Sequence, residues 1–208
     1  ANGVMWVNAM GNDRFRHYMA LLTDGNNDRR HEFAAGQNYN TVVLTAGVAY
    51  QFVLNWDAYP TTSVDYNLYL YQGNPDSGGI VVAKSENRQG GTYPYPYEYI
   101  SYTPSVNGTY YLVVRKDRTS IPNIRFAVFS FDADLGVMTQ ASSLVQPADC
   151  ASVISVGATY PTNDVPEYYS SEGPTTDGRA KPEVAAPDRV LTSLTSSFAG
   201  TSAASPHV

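Results

Sequence analysis

The sequence predicts a mixed fold: a mainly antiparallel β-sandwich, jelly-roll-like, inserted into part of an α/β domain built on a parallel sheet. Three observations carry this. Continuous apolar runs stand at 1–13 and 152–159, the mark of strands buried on both faces. Between them lies a long block of short alternating segments, cut by turn signals such as DGNND, QGNPDSGG and SVNG. That block has neither helical periodicity nor a repeat of solenoid period. Two α/β pieces flanking an all-β block read as one domain carrying another in a surface loop. The boundaries follow: 1–15 and 133–208 for the host, 16–132 for the insert.

Taken in order, ANGVMWVNAMGND (1–13) is a strand that ends at a Gly-Asn-Asp turn. Alternation predicts strands at 17–23, 32–34, 41–45, 50–56, 66–71, 80–83, 98–102, 109–115 and 125–131. Regularly spaced short strands of this kind build sandwiches and jelly rolls. Beyond about 135 the texture changes. SVISVGAT (152–159) is a buried strand, 181–187 and 189–194 are short extended pieces, and GTSAASPHV (200–208) opens a helix.

Composition excludes several classes. The 208 residues include 43% hydrophobic ones, enough for a real core, and only 15% charged ones, too few for a coiled coil. A net charge of −6 leaves no basic stripe for a nucleic-acid backbone. No apolar run approaches the roughly 20 residues that span a bilayer, so no membrane partner is expected. Seventeen Tyr, 16 Gly and 13 Pro suit β structure and an extracellular life. Cys150, the single cysteine, forms no internal disulfide and reads as a small buried side chain.

The chemistry concentrates in GTSAASPHV. Gly200 permits a tight turn, and Ser202 then sits where a helix begins. Unpaired N–H groups there favour a developing oxyanion. Small residues 203–205 let the helix lie close on a sheet. An ordinary helix start explains the same string.

Upstream strings decide between these. SSEGPTTDGRAKPEVAAP (170–187), PADCASVISVGAT (147–159) and GVMWVNAMGND (3–13) precede it. In this order the four strings resemble the landmarks of the subtilisin-like serine proteases, the subtilases. Departures are Asp188, where Gly usually follows Ala-Pro, and Glu172, where Arg is common. The resemblance implies a secreted bacterial serine endopeptidase that hydrolyses peptide bonds through an acyl-enzyme, needing no cofactor for its chemistry. It makes Ser202 the nucleophile and Asn12 the side-chain amide donor of the oxyanion hole. Ala9, Met10 and Gly11 become part of the wall of the substrate pocket.

The family's catalytic Asp and His precede the Asn landmark, in D-[ST]-G and H-G-T contexts. His17, His31 and His207 are not followed by Gly, and Asp24-Gly25 sits in a polar turn. The chain is therefore expected to be an internal fragment lacking the triad's Asp and His, inactive alone and prone to self-association. The alternative function is a non-catalytic sandwich module that gates substrate access or binds a protein or glycan.

Within the insert, HEFAAG, FVLNWD, VDYNLYLYQG and NGTYYLVVRKD resemble the pre-peptidase-type β-sandwich modules of secreted bacterial proteases. Asp24, Asn26 and Asp28 place oxygens at alternate positions, as a structural calcium loop does. Arg29 and Ala35 break the full pattern, and a solvated hairpin turn explains the loop as well. Tyr93-Pro94-Tyr95-Pro96-Tyr97 is a stiff aromatic loop, suited to stacking on a ligand or to covering one end of the sandwich.

Overall fold

The computed structural model describes residues 3–208; Ala1 and Asn2, at the head of the first apolar run, lie outside them. The chain is mostly β-sheet, with eleven strands and very short helices among the described residues. It divides into two compact units, one of residues up to Phe15 plus Thr139–Val208 and the other Arg16–Met138.

The unit Arg16–Met138 holds two four-stranded antiparallel sheets. One orders β2 (His17–Leu21), β9 (Arg125–Phe131), β4 (Tyr50–Trp56) and β7 (Tyr97–Tyr102). The other orders β3 (Asn40–Leu44), β8 (Gly108–Lys116), β5 (Tyr66–Gln72) and β6 (Ile80–Ser85). Alternation along these strands sends Phe52, Leu54 and Trp56 inward from one sheet, and Tyr66, Leu68, Leu70 and Leu112 inward from the other, into one shared core. Burying each such side chain is worth about 2 kcal/mol, which holds the sheets face to face.

The unit runs past Asp132, the boundary read from sequence. Ala133 and Leu135 belong to its core, Leu135 bridges Val42, and Gly136 donates its N–H to the Thr41 carbonyl at 2.8 Å. Residues 32–34 form no strand. Phe33 turns into the core, and Ala34 makes only an isolated bridge to Gln37.

The other unit holds a three-stranded parallel sheet, β1 (Trp6–Ala9), β10 (Val153–Thr159) and β11 (Val184–Pro187), with β10 central. Central position explains the buried, β-branched run in β10. β1 is an edge, and contrary to the sequence expectation its start is not buried: Trp6 is 57% exposed, with Val4 and Met5 exposed beside it. Residues 189–194 do not extend as a strand, because Arg189 adopts a positive φ of 55° and breaks the line. Four-residue α1 (Thr201–Ala204) follows, and Ala204 packs with Val156, Ala158 and Ala186. Cys150 is exposed rather than buried. It lies in the turn before β10, its thiol 3.4 Å from Ser152 Oγ.

Candidate active site

The parallel sheet delivers Asn12 and Ser202 to one place. β1 ends at Ala9, and Met10 continues the ladder through its N–H to the Val156 carbonyl at 3.1 Å. The chain then turns at Gly11, whose φ of 109° only glycine tolerates readily. A Cβ there would stand 2.9 Å from both Asp13 Oδ2 and Ser171 Oγ. The turn aims Asn12 at the start of α1.

Asn12 Oδ1 accepts the Thr201 N–H at 3.0 Å and the Thr201 hydroxyl at 3.1 Å. A backbone N–H can only donate, so the atom facing it must be the amide oxygen, which fixes the orientation of the amide. The Asn12 N–H₂ therefore points elsewhere, and it has no acceptor among the described residues. Thr201 Oγ1 in turn accepts the Gly11 N–H at 3.1 Å, closing a ring between the two segments.

Gly200 is required on the other side. Its φ is 118°, and a Cβ would meet Asn12 Nδ2 at 2.9 Å. Its N–H donates to Asp188 Oδ2 at 2.7 Å. The Tyr169 hydroxyl donates to the same oxygen, and burial together with that carboxylate pushes the Tyr169 phenol well above its ordinary range. Asp188 is 1% exposed, and its Oδ1 has no hydrogen-bond partner among the described residues. Sequence reasoning noticed Asp188 only as a departure from the usual Gly; its grip on the serine turn spans 12 residues and has no local signature.

Along 200–203, Asp188 takes the Gly200 N–H, Asn12 the Thr201 N–H and the Gly200 carbonyl the Ala203 N–H. The Ser202 N–H alone in this stretch remains without an acceptor. Ser202 is exposed, and neither its hydroxyl nor the His207 ring makes a hydrogen bond among the described residues. Two free donor groups, on Asn12 and Ser202, and a free Ser202 hydroxyl thus stand on the two segments that the Asn12–Thr201 bonds join.

Of the pocket residues, Ala9 and Gly11 are half-buried. Met10 is fully buried with Leu144 and Ala148, so it offers a pocket only its backbone.

Asp24, Asn26 and Asp28 lie in the sandwich unit and do not fit a calcium ion. Asp24 Oδ2 faces Lys116 Nζ at 3.0 Å, and Asp28 Oδ2 faces the Arg30 guanidinium at 2.9 Å. The Asn26 oxygen accepts the Asp28 N–H. Protein cations and N–H groups already hold the oxygens a dication would need. Tyr93, Tyr95 and Tyr97 are all about half-exposed, while the Pro94 and Pro96 carbonyls accept from Thr62 and Trp56.

The sequence pattern of the subtilase family matches residues 123–208. No curated protein matches the chain. Among solved structures, the chain is similar to the CspB protease of Clostridium perfringens, with a TM-score of 0.62 at 19% identity. That match covers 97% of this chain and 46% of that one, so the chain spans about half the length of that protease. A second similar structure is the pre-peptidase C-terminal domain of a Bacillus anthracis collagenase, at 10% identity and TM-score 0.36 over 62% of this chain and 99% of that one. The family pattern over 123–208 and the fold shared with a solved protease make this chain similar to the subtilases.

Proposed function

We propose that the chain supplies the nucleophile and the oxyanion hole of a secreted serine endopeptidase that acts on protein or peptide substrates. Ser202 Oγ attacks the scissile carbonyl, and its proton passes to a base. The oxyanion is held by the Asn12 N–H₂ and the Ser202 N–H, and the amine leaves to give an acyl-enzyme, which water hydrolyses. The observation that carries this reading is the Asn12–Thr201 bond pair, which commits the amide oxygen to the residue before Ser202 and leaves the N–H₂ unpaired against Gly200.

The base and its orienting carboxylate are proposed to come from outside this chain. Supporting this, Ser202 and His207 lack hydrogen bonds among the described residues, and the histidines lack the family context. Triad members act as a unit, so the chain alone is expected to be inactive. A fluorophosphonate probe tests the reading, since it labels only an activated serine. The 208-residue chain should remain unlabelled. A longer polypeptide carrying an upstream Asp and His segment should be labelled at Ser202, and Ser202→Ala should abolish it. An unlabelled, folded longer polypeptide would overturn the reading.

The sandwich, in this proposal, is an inserted module. Its exposed tyrosines and its own core favour a second role in holding or admitting a partner.

A further inference from the structure

The outer face of the sheet containing β5 and β8 carries a cleft of about 560 Å³, lined by Asp65, Asn67, Glu86, Arg88, Asp117 and Arg118. Two of its lining groups stand apart from the rest. Asp65 is 4% exposed and Asn67 7% exposed. Neither side chain has a hydrogen-bond or ion-pair partner among the described residues. They sit at positions i and i+2 at the head of β5, and therefore on one face. Their neighbours inward, Tyr66 and Leu68, fill the core.

The rim carboxylates are already engaged. Asp117 pairs with the Arg118 guanidinium at 3.3 Å, and Glu86 pairs with Lys84. So the floor presents a buried carboxylate and a buried amide with unused acceptors, at the bottom of an open cleft. Arg88 and Arg118 act on Asp65 only through their charge, without direct contact, and a buried carboxylate without a hydrogen-bonded partner is costly. Here the partner's place opens to solvent through the cleft.

The lining narrows what that partner is. An anion is disfavoured because the carboxylates of Asp65, Glu86 and Asp117 outnumber the guanidinium groups of Arg88 and Arg118 in the lining. A metal ion is disfavoured, because no three His, Cys, Asp or Glu side chains converge among the described residues. A sugar would want an aromatic platform, and no aromatic side chain lines the cleft. A flat cation with several N–H donors satisfies both acceptors at once, which a compact ammonium does less well.

We propose that this cleft binds an alkylguanidinium group, with Asp65 and Asn67 as its acceptors. The site is independent of the protease reading, since it needs neither Ser202 nor Asn12.

The test titrates the 208-residue chain with Nα-acetyl-arginine amide, with its neutral analogue Nα-acetyl-citrulline amide, and with an acetylated peptide bearing one internal arginine. Calorimetry and NMR shifts read the binding. The arginine amide should bind saturably and shift resonances of residues 65–67, while the citrulline amide should not. Asp65→Asn should weaken binding by at least about tenfold, as for loss of a hydrogen-bonded charge partner. Asn67→Leu gives a second readout should Asp65→Asn fail to fold, and it should weaken binding as well. Equal binding of the peptide identifies a polypeptide as the source, whereas binding of the amide alone identifies a free small cation. Equal affinity for citrulline, undiminished binding by a folded variant, or no saturable binding to about 10 mM would overturn the proposal.

Discussion

Asn12 and Thr201 stand 189 residues apart, yet one amide oxygen accepts both the N–H and the hydroxyl of Thr201, at 3.0 and 3.1 Å. The bond pair separates a structural duty of Asn12 from a chemical one. Asn12→Asp keeps an acceptor for Thr201 and loses the N–H₂. In an enzyme with its base supplied, it should fold normally and lose about 100- to 1,000-fold in kcat with little change in KM. Asn12→Leu should also loosen the start of α1, by about 1 kcal/mol, as removal of a helix cap does. Steady-state kinetics and thermal melts check both. Full turnover in Asn12→Asp would sink the oxyanion assignment.

Asp188 ties Tyr169 to Gly200. Its carboxylate is one cause of the raised Tyr169 phenol, after burial. In Asp188→Asn the Tyr169 titration should therefore move back toward the ordinary value of about 10. Alkaline absorbance titration of Asp188→Asn against a Tyr169→Phe reference reads this directly. An unmoved titration would show that the carboxylate does not govern the tyrosine.

Two buried groups make the sandwich respond to acid in opposite directions. His31 is 1% exposed, packed edge-to-face with Phe33 and Phe126. Its Nδ1 accepts the Thr23 N–H at 3.0 Å, so Nε2 carries the proton and donates to the Tyr18 hydroxyl. Burial lowers its pKa to about 4. The folded state therefore prefers neutral His31, and its stabilising effect is lost as pH falls from about 6.5 toward 4. Asp65 is raised to about 6, by burial first and then by Asp117 and Glu98 against the pull of Arg88 and Arg118. The folded state prefers its protonated form, so stability rises as pH falls from about 6 toward the unfolded value near 3.9. Asp65→Asn should raise Tm at pH 7 to 8 and sharpen the acid loss below 6.5, while His31→Gln should flatten it. Melts of both variants across pH 4 to 8 decide; unchanged profiles would refute the assignment.

Asp24 and Lys116 form an ion pair whose side chains are almost wholly buried. Removing one partner strands the other, and Asp24→Ala should destabilise the sandwich by about 3–5 kcal/mol. Chelation of divalent cations should leave Tm unchanged. A fall in Tm on chelation, restored by calcium, would mean that a cation displaces Lys116 from the loop.

The sandwich should fold by itself when its boundary respects the core. A 16–138 fragment is expected to be monomeric, with one cooperative melt. A 16–132 fragment loses Leu135 from the core and the Gly136–Thr41 bond. It should be less stable by about 2–4 kcal/mol, from the lost burial and hydrogen bonding. Light scattering and denaturant melts on the two fragments check this, and equal stability would place the boundary at Asp132 after all.

Strands were legible in the sequence wherever one face is buried, because the period of two then shows directly, as in 50–56 and 125–131. Reading failed where position in the sheet decides. Apolar Val4, Met5 and Trp6 look like part of a buried strand, yet β1 begins only at Trp6 and all three are exposed. Leu191 and Leu194 look extended, yet they follow a positive φ at Arg189 and lie exposed. At the site, Ser202 and Asn12 were visible as motif residues. Which amide atom faces Thr201, and that Asp188 holds Gly200, depend on contacts between distant segments that no local pattern encodes. The partnerless floor of Asp65 and Asn67 was hidden for the same reason, inside an ordinary-looking VDYNLYLY string.

The first and last strands of the sandwich unit are neighbours: His17 pairs with Phe129, and Ser130 donates its N–H to the Arg16 carbonyl at 2.8 Å. A tension applied through the two ends would first strip the 133–138 segment from β3. It would then meet β2 and β9 end-on, opening their rungs one after another like a zipper instead of shearing them together. We expect the unit to yield at low force, well before a shear-loaded sandwich of equal thermal stability would. Single-molecule pulling from residues 16 and 138 tests this, and a tall single rupture peak would contradict it.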